Sequence, residues 1–212
     1  EKTKEKYFEN GEYTKKGWAA EIIGDFSLGE ATQIGYHRLL DFRKPLGWDS
    51  QIENIYGVAY LWENSPFYKK WNVSENTDLD LRFVDELHLG NVMLYGKISG
   101  FLRYGNINNP YEFKEKKNGK KLLNMDEYYL TIGSIITAKV HDSTLQGDIF
   151  NNESVFTTDI YPLVWDNKAG FYARWDDFAF YYDLIMESTD KRNLDWTDNS
   201  FRYHTLKFIF FR

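Results

Sequence analysis

Residues 128–141 read YYLTIGSIITAKVH, and they alternate for longer than a single soluble strand usually does. Tyr128, Leu130, Ile132, Ile136, Ala138 and Val140 fall on one face, with Ser134 interrupting the apolar row. Tyr129, Thr131, Gly133, Thr137 and Lys139 fall on the other. Successive side chains of a strand point to opposite faces, so this segment makes one apolar and one polar surface. A typical strand has about 5–6 residues. Two other stretches repeat the pattern. Val92, Leu94, Ile98, Leu102 and Tyr104 oppose Asn91, Lys97, Ser99 and Arg103, while Phe178, Phe180, Tyr182, Leu184 and Met186 oppose Tyr181, Asp183 and Glu187. A chain built this way has to fold as a sheet with two unlike faces.

Which medium each face meets is the next question. The apolar face carries aromatics toward strand ends, at Tyr60, Trp62, Tyr128, Phe178, Phe208 and Phe210. The polar face places Lys, Arg, Asp and Glu in mid-strand. Aromatic girdles outside and charge inside suit a transmembrane barrel with a wet lumen. A soluble sandwich shares the periodicity and stays open on periodicity alone. No apolar run of about 18 residues exists, so no transmembrane helix is encoded, and a barrel strand needs only about ten alternating residues. Aromatics make up 18% of the chain and prolines number four, which favours strands. The net charge of −6 is mixed along the chain and argues against a nucleic-acid partner. Cysteine is absent, so disulfides and thiolate metal sites are excluded.

About eight strands are expected, near residues 12–27, 49–63, 73–87, 91–106, 126–142, 155–175, 178–189 and 200–211. Val92, Leu94, Ile132, Ile136 and Phe180 should face lipid. Tight connections are expected at Asn64-Ser65-Pro66, Leu87 to Gly90 and Asp176-Asp177. Long polar ones are expected at 106–126, 143–153 and 190–199, with the long loops on one rim and the short turns on the other. The charged start, Glu1 to Lys6, reads as a segment that frays.

One stretch breaks the alternation. LGEATQIGYHRLLDF, Leu28 to Phe42, has helical spacing, with Gln33, His37 and Asp41 four residues apart and therefore on one helix face. An imidazole between an amide and a carboxylate can be held in one tautomer and act as a general base on water. A surface helix with an ordinary polar stripe accounts for the same spacing. His88, His141 and His204 read as rim or strand residues. Asp142 to Glu153 has the first, sixth and twelfth residues of an EF-hand loop, but Thr144 and Gln146 replace two ligands and the flanks are strands, so it reads as a barrel loop. Asn72-Val73-Ser74 matches a glycosylation acceptor by its three residues alone. Neither G-x-S-x-G, H-E-x-x-H nor a phosphate-binding loop occurs, which removes support for an elbow serine hydrolase.

Three blocks carry a family resemblance. Leu28-Gly29-Glu30, Gln33 and His37 are followed by Pro45, Gly47-Trp48-Asp49, Gln51 and Asn54. Leu89-Gly90-Asn91 precedes Gly100, Arg103 and Gly105. Thr144-Leu145-Gln146-Gly147 precedes Phe150. Together they resemble the outer-membrane lipid A 3′-O-deacylases across nearly the whole chain. The resemblance implies a twelve-stranded antiparallel β-barrel in the bacterial outer membrane. Its active site would lie between the wall and a loop helix, here 28–42, with His37 as catalytic base and Gln33 beside it. It further implies hydrolysis of an ester-linked acyl chain of lipid A, with calcium stabilising the oxyanion.

Asp41, Gln51 and Asn54 are candidate supporting or substrate-binding residues. Two features depart from the family. No Asn-Asp pair precedes residue 28, so the metal ligands stay unassigned, and Arg43 stands where the family tends to place an acid. The chain is therefore expected to be a single β-barrel domain, 1–212, lacking N-terminal strands and inactive by itself. If it closed alone, strand 12–27 would pair with strand 200–211. The partners expected are lipid A or lipopolysaccharide as substrate and the outer membrane, with the protein itself a monomer. The alternative is a non-catalytic barrel, a pore or envelope-structural protein. A soluble lipid-binding barrel stands third. The Lys-rich loop Lys114 to Lys121 is expected either to meet lipid A phosphates or to be a solvated loop.

Overall fold

The computed structural model describes residues 2–39, 41–43, 53–108, 127–150, 157–175, 178–188 and 200–210. Among the described residues, nine strands form one antiparallel sheet in chain order. They are β1 (Lys2–Tyr7), β2 (Tyr13–Ile23), β3 (Ile55–Ser74), β4 (Thr77–Gly90), β5 (Met93–Asn106), β6 (Glu127–Asp142), β7 (Leu163–Trp175), β8 (Phe178–Ser188) and β9 (Ser200–Phe210). Helix α1 (Gly29–Leu39) lies between β2 and β3, and a single turn of helix, α2 (Ser143–Gln146), follows β6. Every strand pairs with its sequence neighbour, the up-and-down order of a membrane barrel wall.

The two faces separate as alternation requires. On the outside, Ile132 is 58% and Val140 69% exposed, and Leu130, Ile98, Leu102, Leu206 and Phe208 also stand open. Residues with that much apolar surface bare to water would be a liability, whereas a lipid-facing wall demands them. Inside, charge is paired across strands. Asp80 is fully buried and accepts from Arg103 Nε at 2.8 Å, and Lys168 meets Asp183 at 2.8 Å. Asp80, Arg103, Thr131, Gly170 and Asp183 are successive cross-strand partners in one lumen row. Gly170 belongs there because a Cβ would sit 2.1 Å from the Asp183 carboxylate.

Several expectations change. The start is not a frayed tail: Lys2 to Tyr7 pairs residue by residue with Trp18 to Tyr13. Asn64-Ser65-Pro66 is not a turn. It is a bulge inside the long strand β3, with Ser65 fully buried, and the reversal comes at Glu75-Asn76. A bulge absorbs the proline because the local ladder is already interrupted. Leu87 to Gly90 continues β4, and the turn is Asn91-Val92. Val92 does not face lipid. It is 2% exposed, and its Cγ2 fills the space a Gly57 Cβ would need. Strand 12–27 shortens to 13–23 and is already paired on both sides, by β1 and β3, so it has no free edge for strand 200–211.

The assignment of loops to rims also changes. In a meander, connections alternate between rims. The β2–β3, β4–β5, β6–β7 and β8–β9 connections share the rim that carries α1. The β5–β6 connection, which contains Lys114 to Lys121, belongs to the opposite rim with the β1–β2, β3–β4 and β7–β8 turns. Long and short connections therefore occur on both rims. Residues 109–126 and the Asp176-Asp177 turn lie outside the described residues.

Candidate active site

The loop that carries α1 is pinned where it leaves the sheet. After β2, Gly24 adopts φ 93, and a Cβ there would lie 2.7 Å from the Glu53 carbonyl and 2.8 Å from Asn54 Cα. Only glycine lets the two ends of this long connection touch. A 3-10 turn, Asp25–Ser27, follows, and the Asn54 Oδ1 accepts the Phe26 N–H at 2.8 Å. Ser27 Oγ donates to the Gly24 carbonyl at 2.7 Å. Leu28 then takes a left-handed φ of 62, and α1 begins at Gly29. Thr32 closes the first turn, donating through both its N–H and its hydroxyl to the Leu28 carbonyl. The helix buries none of its residues completely.

The histidine sits at the other end of α1. The chain turns sharply after Leu39: Asp41 has a left-handed φ of 55, and the Phe42 N–H donates to the His37 carbonyl at 2.8 Å. That bond across five residues, with a left-handed residue just before its donor, is a Schellman ending. It folds the next residue back over the helix, so that His37 Nδ1 lies 2.6 Å from the Arg43 carbonyl oxygen. A carbonyl only accepts, so Nδ1 carries the proton and Nε2 of the neutral ring keeps its lone pair. The Phe42 ring stands edge-on to the imidazole, with centroids 5.8 Å apart at 85°, and Tyr36 flanks both. The side chain is half-buried, held on two sides and open on another.

The candidate residues are thus distributed as follows. Gln33 lies one turn before His37, with an exposed side chain. Asp41 lies beyond the helix, so helical spacing does not carry it onto the Gln33–His37 face, and its exposed position defines the turn. Asn54 braces the foot of the loop at Phe26, ahead of the start of α1, whereas His37 lies in the last turn of that helix. Gln51 lies outside the described residues. The Arg43 carbonyl was missed from the sequence, because main-chain groups leave no residue-type signal; the departure at Arg43 was visible, but what replaces the acid was not.

The remaining histidines are elsewhere. His88 is not at a turn. It lies in the lumen on β4, 2.9 Å from Glu21 and stacked on Tyr95 at 5.0 Å. His141 Nε2 is 2.9 Å from Ser143 Oγ at the end of β6, and His204 Nδ1 is 2.7 Å from the Tyr182 hydroxyl. The EF-hand-like segment is occupied by α2, whose N-cap Asp142 accepts from Thr144 N at 3.0 Å. Among the described residues no group of three or more His, Cys, Asp or Glu could hold a metal ion. The described donors do not by themselves make a calcium site.

A meander wall with lipid-facing aromatics and a charged lumen defines a membrane β-barrel, here with a histidine-bearing helix on one rim. Comparison with known proteins gives the family. The family model described as "Outer membrane protein LpxR" matches residues 10–206, and the chain belongs to that family. The solved structure of LpxR from Salmonella typhimurium matches with a TM-score of 0.77 at 20% identity, covering 96% of this chain and 68% of that one. No curated protein sequence matches the chain. The protein is located in the outer membrane.

Proposed function

We propose that the protein removes the 3′ ester-linked acyl chain of lipid A, with His37 as the general base. The observation that carries this reading is the bond from His37 Nδ1 to the Arg43 carbonyl, in a chain of the LpxR family. It leaves Nε2 as the one basic nitrogen of a ring flanked by Phe42 and Tyr36. In this reading Nε2 takes a proton from water as the oxygen attacks the acyl carbonyl. The tetrahedral intermediate then expels the sugar 3′-oxygen, which recovers the proton from Nε2, giving a free fatty acid and a 3′-hydroxyl. Gln33, on the same stripe, is assigned to substrate or ring orientation. Asn54 acts through the loop, and Asp41 through the turn that delivers the Arg43 carbonyl. Calcium belongs to the proposal as an ion whose ligands come from outside the described residues, and no step is routed through it.

The open side of the ring and its position on a rim of a lipid-facing barrel support a membrane lipid as substrate. The alternative of a non-catalytic barrel predicts no acyl release. Tandem mass spectrometry of lipid A, after exposure to the full-length protein, tests both the activity and its position. The expected product has lost the 3′ ester-linked chain alone. Loss from another position overturns the 3′ assignment, and unchanged lipid A overturns the enzyme reading.

A further inference from the structure

The outer wall changes character where β1 meets β2. Cross-strand partners share a face, so the exposed Trp18 puts its partner Lys2 on the outside. Steps of two residues then put Lys4 and Lys16, and after them Lys6 and Thr14, on the same face. Residues of the opposite parity, Lys15, Ala19 and Glu21, line a lumen cavity beside His88. Lys2, Lys4, Lys6 and Lys16 are all exposed. The outward positions of β5 and β7, by contrast, carry no Lys, Arg, Asp or Glu.

Lys4 and Lys16 are direct cross-strand partners. Like charges so placed repel each other, and an anion between them turns the repulsion into attraction. The wall does not supply that anion. Glu5, Glu21 and Glu63 occupy lumen positions, and Glu9 and Glu12 belong to the turn beyond Lys6. Among the described residues of β1 to β4, the outward carboxylate is Asp85, separated from Thr14 by Asn64 of β3. Lys6 is held toward the turn, its ammonium 4.7 Å from the Phe8 ring centre.

The aromatic residues beside the lysines set their level in the membrane. Trp18 meets Tyr60 edge-on at 5.2 Å, and Trp62 stands opposite Lys16. Trp and Tyr collect where hydrocarbon gives way to headgroups. From the Trp18 level, Lys2, Lys4 and Lys6 descend toward the β1–β2 turn, on the rim opposite α1, in steps of about 7 Å. Lysine stems can lie along an apolar wall while the ammonium groups reach for the polar layer.

We propose that the outer face of β1 and β2 is a docking surface for anionic phospholipids in the leaflet at the rim opposite α1. The phosphate of one headgroup bridges Lys4 and Lys16, and Lys2 and Lys6 flank it. The surface is independent of the ester chemistry proposed for His37.

The test is native mass spectrometry of the full-length protein in a maltoside detergent, titrated with phosphatidylglycerol and separately with phosphatidylcholine. Both lipids carry a phosphate, but choline cancels its charge. Phosphatidylglycerol is expected to bind about tenfold more tightly, the size of one or two lysine contacts at a membrane surface. Lys4→Gln/Lys16→Gln should remove most of that preference, and Lys4→Arg/Lys16→Arg should keep it. Lys2→Gln/Lys6→Gln should weaken it less, and it serves should the first variant fail to fold. Inorganic phosphate in large excess should not displace the lipid. Equal binding of the two lipids by the unmodified protein overturns the proposal, as does a preference unchanged in both glutamine variants. Displacement by inorganic phosphate would make this a site for the free ion and overturn the lipid assignment.

Discussion

The imidazole of His37 and the main-chain carbonyl of Arg43 are 2.6 Å apart, joined across the end of a helix. Six residues of sequence separate them, and the left-handed Asp41 brings them together. Where a carboxylate side chain would orient and charge-stabilise the ring, a carbonyl dipole only orients it. This member thus holds its tautomer through backbone geometry, which is insensitive to the side chain at residue 43.

It follows that Arg43→Ala and Arg43→Gln should leave activity within a few-fold of the unmodified enzyme. Asp41→Gly should also be tolerated, because glycine enters the left-handed region without penalty. Asp41→Val should lower activity, since a β-branched residue at φ 55 is strained by about 1–2 kcal/mol and the turn would open. Rates of acyl release from purified variants check this. If Asp41→Gly were as damaging as loss of the histidine, the carboxylate itself would be the working group.

The foot of the loop gives a second expectation. Asn54→Ala removes the bond to Phe26 N, worth about 1 kcal/mol, and Gly24→Ala drives a methyl into Glu53 and Asn54. Both should reduce acyl release while the barrel's resistance to unfolding in detergent stays unchanged, because neither residue packs in the wall. A fall in barrel stability equal to the fall in activity would place these residues in the fold rather than in the loop.

Depth in the membrane can be read from arginine substitutions on the outer wall. Ile132→Arg, in mid-strand, should cost about 2–4 kcal/mol, and Val140→Arg, near the rim end of β6, about 0–1 kcal/mol. Reversible unfolding from lipid vesicles measures both. Equal costs at the two positions would contradict a lipid-facing β6.

The alternation of β5, β6 and β8 was legible apart from Val92, which falls in the turn before β5, and strand ends there came within about two residues. The wall that failed to read was β3. Pro66 and its polar neighbours signal a turn to any local rule, and only pairing with β2 and β4 on either side makes a bulge the better solution. β1 was hidden by its lysines, because an alternating Lys-Thr-Lys-Glu-Lys run looks solvated until β2 supplies its partner. Spacing and family blocks single out His37 and Gln33, which the structure sets one turn apart on α1. They do not single out the Arg43 carbonyl, since it depends on a left-handed aspartate that no spacing rule encodes. Rim assignment failed for a different reason. Loop length was used where strand parity decides.

The central claim is that Nε2 of His37 performs the proton transfer of lipid A deacylation. The most direct measurement is mass spectrometry of lipid A treated with the full-length protein beside its His37→Ala and His37→Asn variants, each first shown to be folded. Loss of a general base is expected to lower the rate by about 10²–10⁴-fold in both variants, because asparagine cannot take up the proton. The unmodified protein should release the 3′ acyl chain under the same conditions. Release at the normal rate by either folded variant would contradict the claim.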